Sequence, residues 1–126
     1  MKLRTLLVVA AVIGVVYGIC FVVVSGPLLS LFGITLDKAG TLVAQLFGVA
    51  LISLAVINWF ARDVTDPGAR QAVVFGNLAG DAIGFVVILL GQLAGIANAL
   101  GWSSVAIYLL LALGFAYVQF GQSRSS

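Results

Sequence analysis

Long apolar runs, separated by short polar or glycine-rich stretches, dominate the pattern of this chain. Four of these runs occupy residues 6–24, 41–60, 71–90 and 103–120. A helix needs ~20 mainly apolar residues to cross the hydrocarbon core of a bilayer, and each run is close to that length. The pattern therefore predicts an all-α polytopic membrane protein: one domain, residues 1–126, that forms an antiparallel bundle of four transmembrane helices.

The connections between the runs differ in character. Residues 62–70 contain Asp-Pro-Gly at 66–68, a sequence typical of a tight turn, so the second and third helices should be antiparallel neighbours. Residues 25–40 are longer and mostly apolar, which predicts a short interfacial segment after a first helix that ends at Gly26-Pro27. Residues 91–101 either extend the third helix or form a compact loop.

Composition supports a membrane protein and narrows its chemistry. The chain is 63% hydrophobic and 8% charged, whereas soluble domains are about 45–50% apolar and about 25% charged. Histidine is absent and Cys20 is the single cysteine, which excludes His-containing metal sites, cysteine-cluster metal sites and Ser-His or Cys-His catalysis. We therefore expect no catalytic residue, no metal, no cofactor and no enzyme activity. The basic residues are scattered and form no cluster of the kind that binds nucleic acid, so we expect no nucleic-acid partner.

Basic residues are distributed unequally between the two sides of the predicted bundle. One side has Lys2, Arg4, Arg62, Arg70 and Arg124. The other side has Lys38 alone. Because basic residues concentrate in cytoplasmic segments, both termini and the 61–70 connection are predicted to be cytoplasmic.

The first apolar run could instead be a secretory signal peptide, since Lys2 and Arg4 precede it. Its apolar stretch of about 20 residues exceeds the ~7–15 typical of a signal peptide. We therefore expect a retained transmembrane helix.

Asp81 is the only acidic or basic side chain inside a long apolar run. Placing a carboxylate at bilayer depth costs at least ~2.5–3.5 kcal/mol, so such a residue normally faces a partner or a wet cavity. Counting from Gln71 at ~1.5 Å per residue puts Asp81 about 15 Å deep, near the midplane. Together with polar residues of suitable depth, it predicts an intramembrane polar site consisting of Asp81, Asn77, Tyr17 and Ser53. Further polar candidates are Gln45 and Asn58 in the second helix.

Three roles for Asp81 follow from its position. A protonated Asp81 could lock the bundle by hydrogen bonds to neighbouring polar side chains. It could bind a proton or cation in a transporter or channel. It could also pair with a basic residue of a partner protein, because no basic residue of this chain lies at that depth.

Small residues recur at four-residue spacing in two of the runs. The third helix has Gly76, Gly80 and Gly84, and the first has Gly14 and Gly18. Such stripes let helix backbones approach closely in lipid, so the third helix is predicted to be the central packing element. Trp59 and Trp102 fall near the ends of their runs, where tryptophan typically anchors a helix at the membrane interface.

Several stretches carry a resemblance to a known group of proteins. They are residues 27–29, 32–40, 45–48 and 58–62, Gly101-Trp102 and Tyr108. In these stretches the chain resembles uncharacterised small bacterial four-helix integral membrane proteins, loosely DoxX-like. The resemblance implies a four-helix bundle in a bacterial inner (plasma) membrane, and it implies no activity, substrate or cofactor.

Three functions remain open on these grounds. The first is a non-enzymatic accessory or scaffold subunit that packs against other membrane proteins, or against itself, through glycine-rich helix faces. The second is a small homo-oligomeric transporter or channel, coupled to protons or cations through Asp81. The third is a membrane protein that binds a lipid, quinone or pigment between its helices.

Overall fold

The computed structural model describes residues 2–122, and 83% of these are helical. Its α-helices are α1 (Leu3–Leu31), α2 (Lys38–Phe60), α3 (Pro67–Leu93) and α4 (Gly101–Ala116), and a π-helical segment, Tyr117–Gln122, continues α4. Helices α1, α2 and α3 are long and apolar enough to cross a membrane, and α4 reaches that length, Gly101–Gly121, together with the π-helical segment. No strand occurs within 2–122. The predicted all-α, multi-pass, four-helix fold is therefore confirmed. Arg124, which contributed to the predicted orientation, lies outside the described residues.

Aspartate side chains fix where α2 and α3 begin. The Asp37 carboxylate accepts a hydrogen bond from the backbone N–H of Gly40 at 2.6 Å. The Asp66 carboxylate likewise accepts from the N–H of Ala69 at 2.8 Å, and Pro67 occupies the first turn, where its missing N–H costs nothing. The Asp-Pro-Gly sequence thus reverses the chain between α2 and α3.

The regular part of α1 stops at Val24, at the predicted end of the first span, and a second helical stretch that contains Pro27 follows to Leu31. The bend lies at Val24, whose φ of −132° and ψ of 42° are non-helical. Proline crowds the carbonyl one turn earlier and donates no hydrogen bond. The Gln45 side chain of α2 donates to the Val22 carbonyl at 3.3 Å, so a neighbouring helix satisfies a backbone group at the bend. The predicted segment between helices 1 and 2 is thus partly helical and continuous with α1.

Both alternatives for residues 91–101 are partly realised. Helix α3 continues to Leu93 and then stops at Gly95, which has a positive φ of 77° that favours glycine. The backbone N–H of Ile96 bonds back to the carbonyl of Gly91 at 3.1 Å. A compact loop, residues 94–100, then leads into α4.

The bundle consists of two helical hairpins, hairpin 1 (α1 and α2) and hairpin 2 (α3 and α4), and most close backbone contacts lie within a hairpin. In hairpin 1 the backbones meet at Gly18 and Gly48, where a Cβ added to either would lie within 3 Å of the other's carbonyl oxygen. Gly14 packs on Ala55 in the same interface. In hairpin 2, Gly84 lies directly under the ring of Tyr108.

The prediction that α3 is the central packing element is wrong. A Cβ added at Gly76 or Gly80 would meet nothing within 4 Å, so these glycines face outwards. Residues four apart on an α-helix drift by about 40°, so Gly84 is rotated by about 80° from Gly76 and faces α4 instead. The closest backbone approach in the described chain belongs to α1 and α2.

The two hairpins touch at both ends of the bundle. At the end that carries the N-terminus, a buried core joins them through Leu3, Leu6, Leu7, Ala10, Val74, Phe115 and Val118. At the opposite end, Asn98 of the α3–α4 loop bonds to the end of α1: its backbone N–H donates to the Phe32 carbonyl at 2.8 Å, and its side chain donates to the Leu31 carbonyl at 3.0 Å. Between these two contacts lies a partly open space that both hairpins line.

Candidate functional site

The space between the hairpins is a cavity of about 210 Å³ that lies along the bundle axis. Residues of all four helices line it, and its walls are mostly apolar. It extends from Asn58 and Asn77, beside the buried core, to Phe32 and Ala97 at the Asn98 contact. A chamber of this kind, largely apolar with few polar groups, is typical of small-molecule sites between the helices of a bundle.

Asn58 and Asn77 close the cavity at the core end. Each amide nitrogen donates to the other residue's amide oxygen, at 2.9 Å and 2.8 Å, and Asn77 also donates to the Val73 carbonyl at 2.9 Å. Both side chains are buried. Hydrogen bonds between transmembrane helices contribute ~0.6 kcal/mol on average, so this pair sets the register of α2 and α3 more than it stabilises the bundle.

Asp81 lines the cavity as a half-buried residue near the middle of α3. Within residues 2–122, no hydrogen bond or ion pair involves its carboxylate. Asn77, the neighbour predicted to share its site, is instead bonded to Asn58. The structure thus places a carboxylate without a protein partner at the wall of an apolar chamber.

Two tyrosines from different hairpins face the same chamber. Tyr17 of α1 and Tyr108 of α4 both line it, as Asp81 does. The ring of Tyr108 rests on Gly84, where an added Cβ would lie 2.5 Å from Cε1. Sequence reasoning placed Tyr17 in the site but not Tyr108. The position of Tyr108 in the middle of α4 could have indicated it, because tyrosine usually occupies the ends of a transmembrane helix.

Ser53, the fourth member of the predicted site, does not belong to it. It is exposed on α2 and does not line the cavity. Leu51, which does line the cavity, is two residues away, and two residues on an α-helix differ by about 200° in direction. Burying the Leu51 face therefore turns Ser53 outwards.

The predicted interface anchors lie on the outside of the bundle. Trp59 and Trp102 are 42% and 47% exposed, on α2 and α4. The Arg62 guanidinium carbon lies 4.2 Å from the centre of a Trp59 ring, and its Nη1 donates to the Trp59 carbonyl at 2.6 Å. A cation over an indole at the end of an apolar helix is suited to a membrane interface.

An ion pair joins the beginning of α1 to the α2–α3 turn. The Arg4 Nη1 donates to the Asp63 carboxylate, and this hydrogen bond holds the pKa of Asp63 below its usual value. The lowered pKa favours the folded state at neutral pH, an effect that fades as the pH falls through the folded-state pKa. Because both side chains are exposed, the pair marks a common end of the bundle more than it stabilises the fold.

No protein-family model matches the chain, and neither a curated protein nor a solved structure shows significant similarity to it. The resemblance to DoxX-like proteins therefore stays a prediction. The function has to be inferred from the cavity and from the outer faces of the helices.

Proposed function

We propose that this chain is a non-enzymatic membrane protein that binds a small, mainly apolar molecule in the cavity between its two hairpins. The observation that carries this proposal is the 210 Å³ chamber lined by all four helices, with a few polar groups on an apolar wall. A dry cavity of ~150 Å³ in a soluble protein accommodates benzene, so this chamber suits a molecule of about ten non-hydrogen atoms. The proposal develops the lipid-, quinone- or pigment-binding alternative.

Packing energetics favour an occupant in this chamber. Protein interiors are close-packed, so the walls of an unfilled chamber lack the contacts that packed side chains make. A ligand or a lipid chain that enters between the helices supplies those contacts. The chamber stops at the Asn58–Asn77 pair and the buried core, which suits a binding site better than a continuous path for transport.

We also propose an orientation of the bundle and the membrane in which it lies. The termini and the α2–α3 turn would face the cytoplasm of a bacterial inner membrane. Four basic residues of the described chain support this side, namely Lys2, Arg4, Arg62 and Arg70, against Lys38 at the opposite end.

A tryptophan placed inside the chamber should abolish ligand binding. Ile88 lines the cavity, whereas its neighbour Val87 is 64% exposed, so Ile88→Trp and Val87→Trp are matched in size and depth. With 2,2-dimethylpropylbenzene as the added molecule, Ile88→Trp should weaken binding by about tenfold or more, because the indole occupies its volume. Protein in lipid nanodiscs, titrated by NMR, provides the measurement.

Val87→Trp should bind this molecule as the unmodified chain does. Mass spectrometry of small molecules extracted from the purified proteins should likewise show an apolar compound that Ile88→Trp lacks. Equal binding by both tryptophan variants would contradict the proposed site.

A second candidate function is that of the accessory or scaffold subunit. One observation favours it: Gly76 and Gly80 lie on the outer face of α3 with nothing within 4 Å of an added Cβ. Small residues on a lipid-facing surface permit close contact with another transmembrane helix, from a second copy or from another subunit.

A further inference from the structure

We propose that the molecule bound in this cavity is an organic monocation whose positively charged nitrogen lies between the Asp81 carboxylate and the rings of Tyr17 and Tyr108. The inference rests on the proposed function and specifies its ligand class. The apolar walls alone do not distinguish a cation from a neutral molecule of the same shape, so these three side chains would determine the charge of the ligand.

Asp81 brings a carboxyl group without a basic partner in residues 2–122 to the cavity wall. Asp81 has no hydrogen-bond or ion-pair partner within residues 2–122. The basic residues of that part of the chain all lie at helix ends or in turns: Lys2, Arg4, Lys38, Arg62 and Arg70. A carboxylate at bilayer depth is costly unless it is neutralised. Within residues 2–122 no basic side chain neutralises Asp81, so a proton or a cationic ligand must do so, and a ligand that carries a cation gains an attraction here that a neutral ligand does not.

Two tyrosine rings line the cavity together with Asp81. The electron-rich face of a tyrosine ring attracts cations, and organic ammonium groups are commonly recognised by carboxylates and aromatic rings together. Tyr108 is held over Gly84, one helical turn from Asp81 on α3, and both residues line the same cavity. Tyr17 supplies a second ring from α1, across the cavity.

The remainder of the cavity lining favours a ligand with an apolar body. Apart from Asp81, the two tyrosines, Ser104 and the self-paired asparagines, the lining is apolar. A strongly hydrated ion would lose its water there without replacement. A cation with an apolar body, such as an aryl or alkyl ammonium compound, satisfies both the carboxylate and the walls.

Two molecules of the same shape test the inference. Benzyltrimethylammonium and 2,2-dimethylpropylbenzene differ in one atom and one charge. In nanodiscs of zwitterionic lipid, Asp81→Asn should weaken binding of the cation by about tenfold or more and change binding of the neutral isostere by less than about twofold. Each molecule also partitions into the lipid, but this partition is the same for both proteins. It therefore cancels when the affinities of one molecule for the two proteins are compared.

Asp63→Asn is the matched control, because it removes the same charge from an exposed site. It should leave binding of both molecules unchanged. Should Asp81→Asn fail to fold, Tyr108→Leu serves instead: it removes one ring and should weaken cation binding selectively. Phenylacetate, an anion with an aryl body, should not bind the unmodified protein.

The outcomes separate the inference from the proposed function. If the neutral isostere binds and Ile88→Trp abolishes that binding, but Asp81→Asn weakens neither molecule selectively, the monocation inference is overturned and the cavity remains a site for neutral ligands. If neither molecule binds the unmodified protein, the proposed function fails together with the inference.

Discussion

Gly48→Leu is expected to disrupt hairpin 1 and to lower the free energy of unfolding by about 3 kcal/mol or more. A Cβ at position 48 would lie 2.7 Å from the Gly18 carbonyl oxygen and 2.8 Å from the Phe21 Cβ. Both atoms belong to, or are fixed by, the backbone of α1, so they cannot move aside as a side-chain tip can. Unfolding in mixed detergent micelles, followed by circular dichroism, measures the effect.

Gly76→Leu is the control for this substitution. The same side chain at position 76 meets nothing within 4 Å, so the unfolding free energy should change by less than ~0.5 kcal/mol. Equal destabilisation by both variants would contradict the close approach of α1 and α2 at Gly48. The control also tests the second candidate function: Gly76→Leu should dissociate a homo-oligomer or a larger complex if the outer face of α3 contacts a partner.

Gly84→Leu is expected to close the cavity and to weaken binding of 2,2-dimethylpropylbenzene by about tenfold or more. A Cβ at position 84 would lie 2.5 Å from the Tyr108 ring. Because the ring lines the cavity, we expect the displaced ring and the added side chain to occupy part of the ligand volume. Titration by NMR in nanodiscs measures binding, and the unfolding free energy is measured in parallel.

Gly80→Leu provides the comparison, since it adds the same side chain one turn away on the outer face of α3. Binding by that variant should match the unmodified protein. A Gly84→Leu variant that binds normally would show that Tyr108 does not limit the cavity.

The helices were predictable because their signal is simple. Length and apolar content define a transmembrane helix, and Asp66-Pro67 marks a turn by local chemistry that requires no tertiary contact. The helical form of residues 25–31, which follow the bend in α1, was not predictable in the same way. It is accompanied by a hydrogen bond from Gln45, which is remote in sequence and meets α1 only in the folded hairpin.

The candidate site was predictable only in part, because helices that are apolar on nearly every side do not reveal their rotation. Asp81 and Tyr17 were found from polarity and depth, and both line the cavity. Ser53 had suitable depth but faces outwards. The pairing of Asn58 with Asn77 joins the last turn of α2 to a position about three turns into α3, a stagger that depth counting does not show.

The chain contains three tyrosines, and they allow one measurement of whether a ligand lies between the hairpins. Tyr17 and Tyr108 line the cavity from opposite hairpins, whereas Tyr117 is 55% exposed and does not. With tyrosine rings protonated in an otherwise deuterated protein and deuterated lipid, bound 2,2-dimethylpropylbenzene should give nuclear Overhauser effects to Tyr17 and Tyr108 and none to Tyr117. Effects to Tyr117 alone, or equal effects to all three rings, would contradict a binding site between the hairpins.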